Sequence, residues 1–254
     1  MTAQGMPPRQ RGWLVPTLFT LCGLAILIGL GLWQLDRKVW KENLIATLTA
    51  RLAAPPAAGV PPRAQWSSLD PAQMEYRRVT APAQFLTGQD ALVYTAGSAL
   101  RPDVKGIGYW VFTPARLAGG DIVVVNRGFV PIERKDTAAY AAPPAGTVAI
   151  VGILRWPDQR SLFTPADEPH NNVWYIRDPI AIAAAKGWGD KGWGEVAPFV
   201  IDLEAPAAPG GLPSVGRLEL HLPDNHLQYA VTWFGLAATL AGVYIALMLG
   251  RRRC

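Results

Sequence analysis

Two long stretches without charge are the strongest constraint on how this chain folds. From Trp13 to Trp33, and again from Tyr229 to Leu249, there is no Asp, Glu, Lys, Arg or His, and each stretch has about 21 residues. At about 1.5 Å of rise per residue, such a helix spans roughly the 30 Å of hydrocarbon in a bilayer. A buried helix of a globular protein normally keeps a polar stripe. The sequence therefore predicts two transmembrane helices.

The first stretch is expected to stay in the mature protein. Its apolar run is longer than the roughly 7–15 residues of a signal-peptide core, and no A-x-A-like cleavage site closes it. It continues directly into Gln34, Asp36 and Arg37. The residues before it are too few and too poor in Arg and Ser for a mitochondrial transit peptide. These features favour a bacterial inner (cell) membrane.

Basic residues outside the two stretches predict the orientation. Arg9 and Arg11 precede the first stretch and 251–253 are all Arg, and basic residues mark the cytoplasmic side of a membrane. Arg37 and its basic neighbours favour the opposite orientation. However, they stand at the start of a long loop, and long loops translocate largely regardless of charge. Both termini are therefore predicted to be cytoplasmic, with the middle of the chain periplasmic.

The predicted organisation has five parts. They are a cytoplasmic N-terminus (1–12), a transmembrane helix (13–35) that continues to about 52 in the periplasm, a periplasmic β domain (53–223), a second transmembrane helix (226–249) and a basic cytoplasmic tail (250–254). Much of the net charge of +5 flanks the membrane segments. No patch is predicted to bind nucleic acid, and lipid is the expected surrounding of both helices.

The middle of the chain is predicted to be one mainly β domain, either an antiparallel barrel or a sandwich. Its short runs are rich in Val, Ile, Tyr, Phe and Trp and are separated by Gly, Pro and Asp. Candidate strands are Glu75–Thr80, Gln84–Leu86, Ala91–Thr95, Gly108–Thr113, Ile122–Asn126, Val148–Arg155, Asn172–Arg177 and Phe199–Leu203. One short helix is expected near Pro179–Lys186 because Pro opens it and Gly187 follows it. Many strands with few helices between them favour these two architectures.

Cysteine usage and the missing catalytic motifs argue against an enzyme. Cys22 is predicted to lie in the membrane and Cys254 in the cytoplasm, so the two cannot form a disulfide. The β domain contains no Cys and only Met74 of the four Met, which disfavours a thiol-ligated metal site, a c-type haem attachment and a copper chaperone. The sequence has no phosphate-binding glycine motif and no nucleophile elbow. We expect no catalytic residue.

Of the three histidines, His226 is the one candidate ligand. It lies about three residues before the second apolar stretch, and a helix through it would place Tyr229, Trp233 and Ala237 on the same face. An interfacial anchor is one interpretation, because aromatic side chains favour that depth. An axial ligand of haem iron is the other. His170 and His221 lie in polar or short extended segments and are expected to have no special role.

Six segments, in order along the chain, resemble the surfeit locus protein 1 (Shy1) family. They are Gly31–Lys41, Glu75–Val79, Val125–Pro131, Gly152–Arg155, Phe163–Pro165 followed by Asn172, Trp174, Tyr175 and Asp178, and Leu222–Ala230. Two departures are visible. Asp224 stands where the family pattern has Asn, and 81–83 lacks the family's usual glycine.

The resemblance implies an assembly factor for haem-copper cytochrome c oxidase, with a chaperone-like role in respiratory chain biogenesis. It implies haem a as the bound cofactor or cargo, His226 as the ligand of the haem iron, and the oxidase catalytic subunit and the haem a synthesis machinery as partners. Arg37, which shares a helical face with Trp33 and Trp40, is the expected partner of a haem propionate. Trp33, Tyr229 and Trp233 complete the expected haem surroundings.

Other interpretations stay open at this point. Arg37 could extend to lipid headgroups instead. The chain could also be a membrane-anchored docking protein for oxidase subunits, with no cofactor of its own, or an enzyme with an unrecognised site. Arg77 and Arg78 are expected to be solvated charges, which is one interpretation for Arg127 as well, and Gly128 is expected to form a tight turn.

Overall fold

The computed structural model describes residues 12–136, 140–188, 191–219 and 224–251. The expectations about 1–11, His221 and the tail 252–254 lie outside these residues. The chain divides into two compact units, a helical unit (Met1–Ala46 with Leu222–Cys254) and a β unit (Thr47–His221).

The helices of the described residues differ greatly in length. They are α1 (Leu14–Ala53), α2 (Pro71–Met74), α3 (Pro179–Ala185) and α4 (His226–Arg251). The strands of the described residues are β1 (Ala57–Ala58), β2 (Arg78–Phe85), β3 (Ala91–Thr95), β4 (Gly108–Leu117), β5 (Ile122–Pro131), β6 (Thr147–Arg155), β7 (Val173–Trp174) and β8 (Val196–Ala205).

Both long helices, α1 and α4, are long and apolar enough to cross a membrane. They expose large apolar side chains over most of their surface, including Phe19, Ile26, Val231 and Leu247. In water this exposure would be unfavourable by roughly 25 cal/mol per Å² of apolar surface. In hydrocarbon it costs nothing, because the lipid tails are equally apolar.

Five strands of the β unit form a closed barrel in the order β2, β6, β8, β5, β4. The closing pair joins β4 to β2, with Ala83 opposite Leu117 and Phe85 opposite Ala115. Closure removes the free edges that an open sheet would expose. Four of the five pairings in the ring are antiparallel, and the fifth, β5 with β8, is parallel. The prediction of a mainly β domain with two flanking apolar helices is confirmed.

Extra strands extend the barrel wall. β1 pairs in parallel with β2, and β3 continues the sheet from β4 and carries the two-residue β7 on its other side. The helix α3 begins at Pro179, and the side chain of Asp178 accepts hydrogen bonds from the backbone N–H groups of Ile180 and Ala181. This is the usual chemistry of a helix N-cap.

The barrel interior is the main hydrophobic core. Its buried members are Trp66, Val79, Ala83, Phe85, Ala115, Val123, Val125, Ile150, Leu154, Ala197, Phe199, Ile201 and Leu203. A second cluster packs α3, Trp174 and Trp188 against the opposite face of the wall, at Phe112, Val124 and Val200. Every residue of β5 except its last is buried, because both faces of this strand are covered.

Two expectations about individual residues, Arg78 and Gly128, were wrong. Arg127, for which a solvated charge was one interpretation, is 3% exposed, and burial lowers the pKa of its guanidinium. The Arg78 side chain is 12% exposed and pairs with Glu204 at 2.8 Å. Gly128 lies inside β5 rather than in a turn, at φ +119°. The partners of these residues are distant in the sequence, so local composition did not reveal them.

Candidate functional site

The two long helices pack against each other antiparallel. Near one end of the pair, the Thr17 Oγ1 and Tyr244 hydroxyl oxygens are 2.6 Å apart. Further along, Gly31 is buried against the ring of Phe234, and a Cβ atom at position 31 would lie 2.5 Å from that ring. A glycine at this position lets the two helices approach closely, which is typical of helix contacts in membranes.

The opposite end of the helix pair is formed by Gln34 and His226. Thr17 and Gln34 are 17 positions apart on α1, or about 26 Å along a helix axis. This length is close to the hydrocarbon thickness of a bilayer, roughly 30 Å. If Thr17 lies near one membrane surface, His226 therefore lies near the other.

The imidazole of His226 is held by a hydrogen bond from one helix to the other. Its Nδ1 lies 2.7 Å from Oε1 of Gln34. An amide oxygen only accepts hydrogen bonds, so Nδ1 carries a proton, and in the neutral imidazole the lone pair is on Nε2. Nε2 has no hydrogen bond to any residue that the structure describes. Hydrogen bonding at one ring nitrogen sets which nitrogen of a histidine can bind a metal.

The start of α4 is also fixed locally. The backbone N–H of His226 donates to Oδ1 of Asp224 at 3.0 Å. Asp224 is the residue that departs from the family pattern, and here its side chain accepts a free N–H group at the helix N-terminus. It therefore orients the first turn of α4.

Arg37 lies between two indole rings on the exposed side of α1. Its guanidinium carbon is 5.7 Å from the ring centre of Trp33 and 5.6 Å from that of Trp40. Both rings are about half exposed. No ion pair to Arg37 occurs within the described residues. The cation is therefore held in place by its two aromatic neighbours, with its donors available.

The other predicted site residues lie on different parts of α4. Trp233 is seven positions after His226 and half-buried, on almost the same face and about 10 Å further along the axis. Tyr229 is 55% exposed, whereas Ala230 and Ala237 are buried and share the packed face with His226. Among the predicted residues, the structure thus aligns Trp233 with His226 and leaves Tyr229 on the exposed side.

Arg37 lies on α1, the helix of Gln34, whereas His226 lies on α4 and contacts Gln34. Positions 34 and 37 are about 60° apart around α1 and about one turn apart along it. The expected cluster of His226, Arg37 and the aromatic residues is therefore spread over one end of the helix pair. Sequence spacing alone gave Gln34 no role, because its partner is 192 residues away.

The arrangement offers one imidazole as a possible metal ligand. Within the described part of the chain, no group of three or more His, Cys, Asp or Glu residues could hold a metal ion. One imidazole is a weak site for a bare ion, but a haem iron already has four porphyrin nitrogens and needs only an axial ligand. Nε2 of an unprotonated His226 could supply such a ligand.

Comparisons with known proteins cover most of the chain. A family profile described as "SURF1 family" matches residues 21–238. A "SURF1-like protein" of Monosiga brevicollis is 35% identical over 233 residues, which are 87% of this chain and 83% of the relative. "Surfeit locus protein 1" of Rattus norvegicus is 32% identical over 225 residues, 84% of this chain and 69% of the relative.

The human protein of the same name is similar to the same extent. "Surfeit locus protein 1" of Homo sapiens is 32% identical over 222 residues, 83% of this chain and 70% of the relative. The profile match includes α1 from residue 21, the whole barrel and the first half of α4. The chain belongs to the SURF1 family.

Proposed function

We propose that this chain is an assembly factor for haem-copper cytochrome c oxidase that binds haem a and aids its delivery to the catalytic subunit. The observation that carries the proposal is the hydrogen bond between Nδ1 of His226 and Gln34. This hydrogen bond leaves Nε2 free to bind a metal through its lone pair, at one end of an apolar helix pair. Haem a supplies the redox-active iron that the oxidase needs, and here it is cargo rather than a catalyst.

In this proposal, different residues around His226 contact different parts of the haem. Trp233 extends the face of His226 along α4, where an apolar surface suits a porphyrin and its long hydrocarbon tail. Arg37, fixed between Trp33 and Trp40, offers guanidinium donors to a propionate, a pairing that is usually strong. Tyr229, exposed on α4, is the remaining candidate contact. A single protein ligand to the iron suits a carrier that must release its cargo.

A second candidate function keeps the assembly role without a cofactor. In it, the β domain is a docking surface for an oxidase subunit and His226 is an interfacial anchor. The observation that favours it is the loop at Leu162 and Phe163, whose side chains are 98% and 93% exposed. The loop is ordered by hydrogen bonds between Ser161 and Thr164, so two large apolar groups are held in water.

Complementation of a bacterial strain that lacks this gene tests the proposal. The wild-type chain should restore oxidase activity and the haem a content of the catalytic subunit. The double variant L162S/F163S should restore both as well if haem delivery is the function. The docking function would be favoured if haem a content were restored without oxidase activity. It would also be favoured if the wild-type chain restored both and the loop variant restored neither.

The proposal also includes a topology: both termini in the cytoplasm, the β domain in the periplasm of a bacterial inner membrane. Basic residues at the two chain ends support it. Alkaline phosphatase is active only after export, so a fusion after Gly146 should be active and a fusion after Arg253 inactive. The reverse pattern of activities would contradict this orientation.

A further inference from the structure

An open groove of about 550 Å³ lies beside the last turns of α1. All of its lining residues belong to the β unit. Its apolar part consists of the small side chains of Ala50, Ala54, Pro55 and Ala57. These four residues are exposed, and none of them belongs to a buried hydrophobic cluster. The groove is therefore a surface feature, and its volume lies within the roughly 300–1,000 Å³ that binding pockets usually have.

Three arginines also line the groove, and one of them is neutralised by an acid. Arg78 donates through Nε and Nη2 to the carboxylate of Glu204, at 2.8 Å in both cases. Arg51 instead donates to the backbone carbonyl oxygens of Ala72 and Glu75, at 2.8 and 3.0 Å. These carbonyl groups carry no net charge. The positive charge of Arg51 is therefore not balanced by its partners.

Arg77, the third arginine, is also without an acidic partner. It is exposed, and its Nε donates to the backbone carbonyl oxygen of Gln73 at 2.9 Å. The nearby carboxylate of Glu75 pairs with Arg155 outside the groove, at 3.1 Å. Neither Arg51 nor Arg77 forms an ion pair with any residue that the structure describes. The groove thus presents two unbalanced positive charges next to an apolar surface, which favours an anionic partner.

The groove also borders a free strand edge. β1 is the outermost strand of the sheet, and it pairs with β2, with Ala57 opposite Val79 and Ala58 opposite Thr80. Both alanines are exposed. The other edge of β1 has no strand partner in the described part of the chain. Unpaired backbone groups at such an edge can bind an extended peptide as an additional strand.

We propose that this groove binds an extended, acidic peptide segment of a partner protein, whose carboxylates pair with Arg51 and Arg77. A guanidinium matches the planar shape of a carboxylate, and the small apolar side chains let a peptide backbone approach closely. The edge of β1 offers backbone hydrogen bonds that a lipid phosphate cannot use, which favours a peptide over an anionic lipid. The site is independent of the proposed haem function, and its test does not require haem.

The test measures the fluorescence polarisation of a labelled, end-capped peptide of alternating Glu and Val, mixed with the full-length chain in neutral detergent. The wild-type chain should bind the peptide, and added salt should weaken binding because it screens ion pairs. Arg77→Gln should weaken binding roughly threefold to tenfold, since an exposed charge-assisted hydrogen bond is lost. Arg134→Gln should bind like the wild type, because Arg134 is also exposed but does not line the groove.

A second pair of variants tests the groove without changing any charge. Ala50→Trp fills the groove and should abolish binding. Ala50 is exposed on α1, so the fold should tolerate the larger side chain. Ala53→Trp is the comparison, because Ala53 is exposed on the same helix but does not line the groove, and this variant should bind like the wild type. Undiminished binding to either Arg77→Gln or Ala50→Trp would overturn the proposal.

Two further probes test the chemical class of the partner. A peptide of alternating Gln and Val has the same length without the charge, and it should bind much more weakly. Phosphatidylglycerol added to the detergent should displace the acidic peptide no better than phosphatidylcholine does. Equal binding of the two peptides, or no binding of the acidic one, would contradict the proposal. Selective displacement by phosphatidylglycerol would show that the groove binds an anionic lipid instead.

Discussion

Gly128→Ala should lower the unfolding temperature of this protein by about 5–15 °C. Gly128 lies in β5 at φ +119°, and a Cβ atom there would be 2.4 Å from the carbonyl oxygen of Ser214. Backbone strain of this kind costs about 1–3 kcal/mol, and overpacking adds a similar amount. For a chain of this size, 1 kcal/mol corresponds to roughly 2–4 °C.

The overlap at Gly128 is with backbone, so it cannot be relieved by a side-chain rotation. The backbone N–H of Phe129 donates to Ser214 at 3.1 Å, and the N–H of Ser214 donates to Phe129 at 2.8 Å. Moving the segment away would break both hydrogen bonds. Gly88→Ala is the matched control, since Gly88 also has positive φ but nothing lies within 4 Å of its Cβ position. Equal losses for the two variants would show that the contact with Ser214 does not matter.

His226→Ala should remove most of the haem a that purifies with the chain, and it should leave the fold intact. The variant loses the proposed iron ligand, and Gln34 then lies near the membrane end of the helix pair without its hydrogen-bond partner. Gln34→Leu should have a smaller effect, because loss of a partner that orients a ligand typically lowers metal affinity 10–100-fold. Haem per chain, measured after extraction, gives both values.

The control for this comparison is His170→Ala, since His170 is exposed and lies outside the helical unit. Added imidazole should partly restore haem binding to His226→Ala and should not change His170→Ala. If His226→Ala keeps its haem, or if both variants lose it equally, His226 is not the ligand.

The sequence predicted local β structure well where the strands are regular. Ala91–Thr95 was predicted with the bounds that β3 has, and α3 begins at the predicted Pro179. The runs 75–80 and 84–86 were predicted as two strands, yet parts of both lie in one strand, β2 (Arg78–Phe85). Pro82 is exposed there and still lies opposite Ala149 of β6. The alternation of buried residues continued through the proline.

The sequence was less informative where structure depends on distant partners. Barrel closure depends on a pairing between β2 and β4, and no local pattern distinguishes a closed barrel from a sandwich. The predicted strand Asn172–Arg177 is reduced to Val173–Trp174, and Asn172 before it has φ +57°. The burial of Arg78, Arg127 and Arg155 was likewise missed, since the acids that they approach, Glu204, Asp90 and Asp202, lie far along the chain.

For the candidate site, the sequence suggested residues but could not orient them. The position of His226 before an apolar stretch marked it as a ligand or an anchor, and a helical face grouped Arg37 with Trp33 and Trp40. The contact with Gln34 depends on how α1 and α4 pack, and this contact determines which nitrogen of His226 is free. Tyr229 and Trp233 are four positions apart in sequence, but only Trp233 lies on the packed side of α4.

The absorption spectrum of the wild-type chain tests the central claim most directly. The full-length protein should be purified in mild detergent from bacteria whose oxidase contains haem a. The account predicts a Soret band, with extracted haem a in an amount close to that of the chain. A folded, full-length preparation from the same cells that shows no Soret band would contradict the claim that this protein binds haem a.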